Sequence, residues 1–158
     1  MTTSPRTIVV GVDDSPAALA AVRWASQEAQ QRSARLLLVH VYNVMPAPLL
    51  AGPVPQQAFD DVREMAQRVV HTCAAYVQPG VDVTTRTVAG SPGLVLEEMS
   101  ADADLLVVGG SAHHSAAVRL ALGSVAQHCV NHAHCPVVVI PAPAHAPLAA
   151  VGAAARSL

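Results

Sequence analysis

The sequence contains no lysine. This absence excludes a lysine in a Walker-type phosphate loop, a lysine that forms a Schiff base, and a lysine general base. Charged residues make up only 13% of the chain, the formal net charge is −2, and the arginines do not cluster. A nucleic-acid-binding surface needs clustered basic side chains, so the sequence predicts no nucleic-acid partner.

Cysteine is scarce, with Cys73, Cys129 and Cys135 as its three occurrences. Their number is odd and their spacing is not that of a zinc site, so we expect reduced thiols in the cytoplasm. The longest apolar runs have the length of a β-strand, and the first seven residues are polar. We therefore expect neither a signal peptide nor contact with a membrane.

Hydrophobic residues make up 52% of the chain. Apolar runs of strand length alternate with longer helical patterns, which is typical of βαβ units and a parallel sheet. The run at Val81–Val88 is more polar and alternating, so we place it at or near a sheet edge. The strands are expected at Ile8–Val12, Leu36–Val41, Val81–Val88, Leu105–Val108 and Pro136–Ile140.

Helical patterns lie between these strands. Ser15-Pro16 and Ser91-Pro92 each have the pattern of an N-cap serine followed by proline at the first helical position. Apolar residues from Phe59 to Tyr76 are spaced alternately three and four apart, which predicts a second helix ended by Pro79-Gly80. The last helix is expected at Ser124–Ala133.

The chain is predicted to form one domain over residues 7–141, with a short extension at 1–6 and an Ala- and Pro-rich tail at 142–158. The element order fits an open doubly wound parallel sheet of five strands with helices on both faces. If the strands run in the order 3-2-1-4-5, the winding reverses between the first and fourth strands. In such sheets ligands bind beyond the carboxyl ends of the strands, where the winding reverses. The site is therefore expected after the first and fourth strands.

Two segments fall at this position. Asp13 follows the first strand, and its carboxylate can accept from ribose hydroxyls or hold Mg²⁺; alternatively, Asp13 or Asp14 only helps to cap the next helix. Gly123-Ser124 opens the last helix, where backbone N–H groups favour an anion. The alternative is that the glycine forms a turn and Ser124 is only an N-cap. Enzyme signatures such as G-x-S-x-G, H-E-x-x-H and G-x-G-x-x-G are absent from the sequence.

Five blocks of the sequence, in this order, resemble those of the universal stress protein family. They are IVVGVDDSP at 8–16, LVHV at 38–41, DLLVVG at 104–109, LGSV at 122–125 and HAHCPV at 132–137. The resemblance runs from about Thr7 to Pro141. It implies an adenine nucleotide α-hydrolase-like fold and a non-catalytic regulatory module of the stress response that binds ATP or AMP, with Mg²⁺ as a further expected ligand. It also implies at most slow, incidental ATP hydrolysis, and a homodimer formed through the apolar edge strand Val137–Ile140.

The resemblance also assigns site residues. Asp13 would face ribose or metal, Val41 would meet adenine through its backbone, and the glycines and the helix start would cradle phosphates. His113 could contact phosphate when charged, so that binding would strengthen as pH falls from about 8 to 6. The expected nucleotide-binding residues are Gly11, Val12, Asp13, Val41, Gly110, His113, Gly123, Ser124 and Val125.

The phosphate loop departs from the G-x2-G-x9-G-[ST] pattern of nucleotide-binding members. Counting back from Gly123 makes Gly110 the first glycine and puts His113 at the second; aligning from the fourth strand gives Gly109 and Ala112. The middle glycine is missing in both alignments, so we expect weak binding in which AMP or ADP binds about as well as ATP. The alternative is a dimeric stress-related interaction protein that has lost nucleotide binding.

The histidines offer one further interpretation. His128 and His132 are four apart on the last predicted helix, with Cys129 and Cys135 nearby. A zinc site would need a third or fourth ligand at good geometry. Because His132 and Cys135 also match ordinary family residues before the last strand, we expect no metal.

Overall fold

The computed structural model describes residues 6–44, 52–110 and 122–143. Its strands form one parallel sheet in the order β3-β2-β1-β4-β5, so the predicted fold class, strand order and edge position of the third strand are confirmed. The strands are β1 (Thr7–Gly11), β2 (Arg35–Tyr42), β3 (Val83–Ala89), β4 (Leu105–Gly109) and β5 (Val137–Ile140).

Four helices cover the two faces of this sheet. They are α1 (Pro16–Arg32), α2 (Gln56–Ala74), α3 (Pro92–Ser100) and α4 (Ser124–His132). Buried residues of α1 and α2 pack on one face, which we call the back face, and include Val22 and Val70. Buried residues of α3 and α4 pack on the other, the front face, and include Leu96 and Ala126. None of the helices in the described residues is long and apolar enough to cross a membrane.

The two central strands, β1 and β4, are buried on both faces, which explains their unbroken apolar sequences. Asp104 fixes their amino ends, because its carboxylate accepts from the Thr7 N–H at 2.8 Å and its own N–H donates to the Thr7 carbonyl at 2.9 Å. Asp104 belongs to one of the blocks that carried the family resemblance. Its position at the amino end of β4, away from the expected site, gives it a structural role.

The two Ser-Pro helix starts differ. Ser15 is the N-cap of α1, and its hydroxyl accepts from the Ala18 N–H at 3.2 Å. Ser91 is the N-cap residue of α3 by position, but its side chain makes no capping hydrogen bond. The expectation that both helices begin in the same way is correct for the backbone and wrong for the serine side chain of α3.

Helix α2 ends earlier than Pro79-Gly80. Its last residue is Ala74, and the next turn is closed by the bonds Tyr76 N–H to Cys73 O and Val77 N–H to Ala74 O. Each bond joins residues three positions apart, which is the pattern of a 3₁₀ turn and is common at helix ends. Tyr76 thus lies beyond the helix and is 37% exposed, so it is not part of the buried stripe. That stripe consists of Ala66, Val70 and Cys73.

Some expected features lie outside the described residues. They are His113 and Ala112, most of the N-terminal extension and most of the tail.

Candidate functional site

An open cavity of about 120 Å³ lies at the carboxyl ends of β1, β2 and β4. Winding reverses between β1 and β4, so the cavity is where an open parallel sheet is expected to bind a ligand. The starts of α1, α3 and α4 complete its walls. The cavity is lined by Gly11, Val12, Asp13, Ser15, Ala18, Val39, Val41, Pro92, Leu96, Val108, Gly109, Gly110 and Val125.

The structure brings together six of the nine residues that the sequence assigned to the site. These are Gly11, Val12, Asp13, Val41, Gly110 and Val125. Gly123 and Ser124 are not among the lining residues; Gly123 is the N-cap of α4, so Ser124 is its first helical residue and not its cap. The ninth residue, His113, lies outside the described residues.

The turn between β1 and α1 is held by a series of hydrogen bonds. The Val12 N–H donates to the Val39 carbonyl at 2.8 Å, which continues the pairing of β1 with β2. The Ser15 N–H donates to Asp13 Oδ1 at 2.9 Å. Asp13 therefore stabilises the turn before α1, whereas the cap of α1 is Ser15 and not Asp13. A carboxylate has two oxygens, and that of Asp13 is exposed at the cavity, so the bond to Ser15 still leaves acceptor capacity for a ligand.

Two further side chains reach this turn from the back face, and the sequence reasoning missed both. His40 Nδ1 lies 2.8 Å from the Val12 carbonyl oxygen. The Cys73 thiol lies 3.6 Å from the Asp13 carbonyl oxygen. Burial raises the pKa of Cys73, and Asp13 and Asp14 raise it further. Cys73 is therefore a poor nucleophile. The motif LVHV contained the signal for His40, since a polar residue stood inside an otherwise apolar strand.

Two glycines shape the other side of the cavity, because they lack a Cβ and neighbouring atoms can therefore lie close to their backbone. A Cβ on Gly109 would lie 2.9 Å from the backbone carbon of Ala17 and 3.0 Å from Ala18 N, so this glycine lets α1 cross the end of β4. A Cβ on Gly11 would lie 2.7 Å from a methyl of Leu96, which covers β1 from the front face. The Gly110 N–H donates to the Ile140 carbonyl at 2.7 Å, so it is already committed to β5.

Helices α3 and α4 are joined beside the cavity. His128 Nε2 lies 2.7 Å from Glu97 Oε2, and a Cβ on Gly93 would lie 2.8 Å from the His128 ring. The rings of His128 and His132 stack with their centroids 4.4 Å apart. Burial, followed by the Glu97 charge, raises the pKa of Cys129 to about 11. Within the described part of the chain, no three His, Cys, Asp or Glu residues are grouped so that they could hold a metal ion.

Comparisons with known proteins identify a family and relatives that are similar to this chain. The sequence model of the Universal stress protein family matches residues 5–141. A curated universal stress protein of Mycobacterium tuberculosis is 38% identical over 141 residues, which are 84% of this chain and 46% of that protein. The chain thus spans about half the length of the curated relatives it matches.

Solved structures share the fold. The universal stress protein UspA from Lactobacillus plantarum has a TM-score of 0.65 and 27% identity, over 88% of this chain and 99% of that one. A universal stress protein in complex with cAMP has a TM-score of 0.56 and 30% identity, over 87% of this chain and 98% of that one.

Proposed function

The chain belongs to the universal stress protein family, and on that premise we propose that its cavity binds an adenine nucleotide. The observation that carries the proposal is an apolar recess beside an exposed carboxylate at the winding reversal of the sheet. A universal stress protein that is 30% identical is described in complex with cAMP, an adenine nucleotide.

The lining residues suit the parts of a nucleotide differently. Val39, Val41 and Leu96 form an apolar wall that fits the flat base. Asp13 provides a carboxylate oxygen for the ribose hydroxyls or for Mg²⁺. The cavity is smaller than the roughly 300–1,000 Å³ that is typical of small-molecule sites. We therefore propose that it takes the base and part of the ribose, with the phosphates outside it.

The phosphates would extend towards α4, whose residue Val125 lines the cavity. The first N–H groups of a helix have no intrahelical acceptor and favour an anion. Gly110 contributes less than the sequence suggested, because its N–H is bound to Ile140. The described lining residues include no cationic side chain. The described lining residues thus offer little to each added phosphate, and we expect AMP to bind about as well as ATP.

We place the protein among regulatory modules that bind the nucleotide without turning it over. Asp13 is the one titratable side chain among the described lining residues, whereas acid–base catalysis normally needs a positioned proton donor and acceptor. Hydrolysis of bound ATP would then be slow and incidental. The three cysteines are free, and two of them are buried, which suits a reducing compartment such as the cytoplasm.

We further propose a homodimer that forms through β5. This strand is at the sheet edge, and its four apolar residues Val137–Ile140 are all only partly buried. An apolar edge strand is prone to pair with another strand, and pairing with a second copy across a two-fold axis would cover it. The variant Val138→Lys should then sediment as a monomer under conditions in which the unmodified protein is a dimer. A monomeric unmodified protein at tens of micromolar would contradict the proposal.

Calorimetric titration with AMP, ADP and ATP tests the nucleotide proposal, alongside mass spectrometry of any ligand released from freshly purified, denatured protein. We expect the three affinities to lie within about tenfold of each other, which corresponds to about 1.4 kcal/mol. The variant Asp13→Asn keeps an oxygen for the Ser15 N–H but loses the charge. It should therefore bind AMP about 10-fold to 100-fold more weakly, as expected for a lost hydrogen bond to a charged group.

The matched control is Asp14→Asn, which removes the same charge from the neighbouring exposed residue that does not line the cavity. It should change the affinity for AMP by less than about threefold, because exposed charges are well screened. Equal losses in the two variants would show that general charge, not the Asp13 contact, governs binding. Absence of any nucleotide binding would favour the alternative of a dimeric interaction protein.

A further inference from the structure

We propose that His40 is a positioning residue of the nucleotide site, which it serves from the back face of the sheet without touching the ligand. The inference rests on the proposed nucleotide binding. It depends on the bond between His40 Nδ1 and the Val12 carbonyl oxygen, whose atoms are 2.8 Å apart.

His40 lies between two residues of β2 that line the cavity, but its own side chain is on the opposite face of the sheet. Its neighbours Val39 and Val41 both line the cavity and belong to the front-face cluster. Side chains alternate along a strand, and Leu38, two residues earlier, is part of the back-face core. The His40 ring therefore lies on the back face, behind the wall that its neighbours form. A substitution there changes the support of the site and leaves the lining side chains in place.

The direction of the hydrogen bond is settled by chemistry. A carbonyl oxygen can only accept, so His40 Nδ1 carries the proton and donates it. Val12 is already fixed through its N–H, which donates to Val39. With its carbonyl also bound, the peptide group between Val12 and Asp13 is held in one orientation. That peptide sets where the Asp13 side chain begins.

A second contact supports the same turn. The Cys73 thiol of α2 reaches the next carbonyl, that of Asp13, at 3.6 Å. A thiol is a weak donor, so this contact contributes less than the one from His40. Two consecutive carbonyls of the turn are thus held from the back face. This arrangement fixes the Asp13 carboxylate before a ligand arrives, and preorganisation of this kind raises affinity.

The test measures AMP affinity by calorimetry in three variants of the full chain. His40→Leu removes the donor and should weaken AMP binding about tenfold, the size expected for one unsatisfied carbonyl. His40→Asn places an amide donor near the position of Nδ1 and should keep the affinity within about threefold of the unmodified protein. His40→Gln carries the same amide one bond further out, near the position of Nε2, so we expect it to miss the Val12 carbonyl and to bind AMP as weakly as His40→Leu.

Ser26→Ala is the matched control for lost stability. The buried Ser26 hydroxyl accepts from the Gln78 N–H at 2.8 Å, again on the back face, but neither residue lines the cavity. This variant should lose stability and keep its AMP affinity. If His40→Leu does not fold, the comparison of His40→Asn with His40→Gln carries the test alone.

The possible outcomes separate this inference from the proposed function. If the unmodified protein does not bind AMP, the proposed function fails. If it binds AMP and His40→Gln binds equally well, the positioning role of His40 is wrong. An AMP affinity of His40→Asn as low as that of His40→Gln, or a loss in Ser26→Ala as large as that in the His40 variants, would also overturn it.

Discussion

The turn after β1 and the end of β4 border the same cavity, but they are held there by different means. The turn after β1 is fixed by hydrogen bonds from Ser15, His40 and Cys73 to backbone or side-chain oxygens of Val12 and Asp13. The end of β4 depends instead on close packing, since Gly109, its last residue, has no side chain to keep α1 away. A polar turn can lose one bond at a time, whereas a close backbone contact tolerates no added atom.

The largest expected effect is on the β4 side. Gly109→Ala places a Cβ 2.9 Å from the backbone of Ala17, so the start of α1 must shift. Overpacking of this kind typically costs about 1–3 kcal/mol, and we expect a loss at the upper end because the crowded atoms are backbone. Urea unfolding followed through Trp24, the single tryptophan of the chain, measures it.

Gly110→Ala is the control for that variant. Its Cβ would come no closer than 3.4 Å to Ile140 O, which is an ordinary contact. The expected loss is below about 1 kcal/mol. If Gly109→Ala and Gly110→Ala lose the same free energy of unfolding, then the close approach of Ala17 to Gly109 is not what makes that glycine necessary.

A second prediction concerns Cys129, which α4 buries on the front face and whose pKa is raised to about 11 from an ordinary value of 9.0. Below pH 9 the folded and unfolded states both hold the proton. Between about pH 9 and pH 11 the unfolded thiol ionises first, so the free energy of unfolding falls as pH rises. The slope is at most about 1.4 kcal/mol per pH unit.

Cys129→Ala should flatten this slope, whatever its effect on stability at neutral pH. The test is urea unfolding at pH 8, 9 and 10 for both proteins. Cys73, whose pKa is also raised, remains in the variant and keeps part of the pH dependence. An unchanged slope would show that the front face does not hold its thiol neutral.

The smallest expected effect is the difference in free energy of unfolding between alanine variants at the two Ser-Pro helix starts. Ser15→Ala removes the bond from the Ala18 N–H and should cost about 1 kcal/mol, as for a typical N-cap. Ser91→Ala removes no capping bond, so its free energy of unfolding should change by less than about 0.5 kcal/mol. Both are read from urea unfolding at pH 7. Losses of the same size would mean that the serine side chains of α1 and α3 act alike.

The alternation of strands and helices could be predicted because its signals are local and repeated, whereas the strand order also depended on the blocks that resemble the family. Unbroken apolar runs marked the buried strands, and the alternating pattern of β3 marked an edge. The face of α2 was harder to predict, because its apolar residues outnumber those that the sheet can cover. Val70 is buried, whereas Val62, part of the expected stripe, is 38% exposed.

The candidate site was predictable only in part, for a similar reason. The motif pointed to Asp13 and Gly110, and both line the cavity. It could not show that the Gly110 N–H is bound to Ile140, or that His40 reaches Val12, because these contacts join residues about 30 positions apart in the chain. Sequence spacing within one element carries no information on such pairs.

The pairing of β1 with β4 has a consequence for synthesis on the ribosome. Thr7 and Asp104, which join the two strands, are 97 residues apart. At about 5–20 residues per second, β1 waits roughly 5–20 s for its partner. During that interval β1 is an edge strand, because its partner β4 is absent, and an apolar edge strand is the state most open to wrong pairing. The cavity proposed to bind a nucleotide is also incomplete in this nascent chain, so a ligand can stabilise the fold only after the second half has emerged.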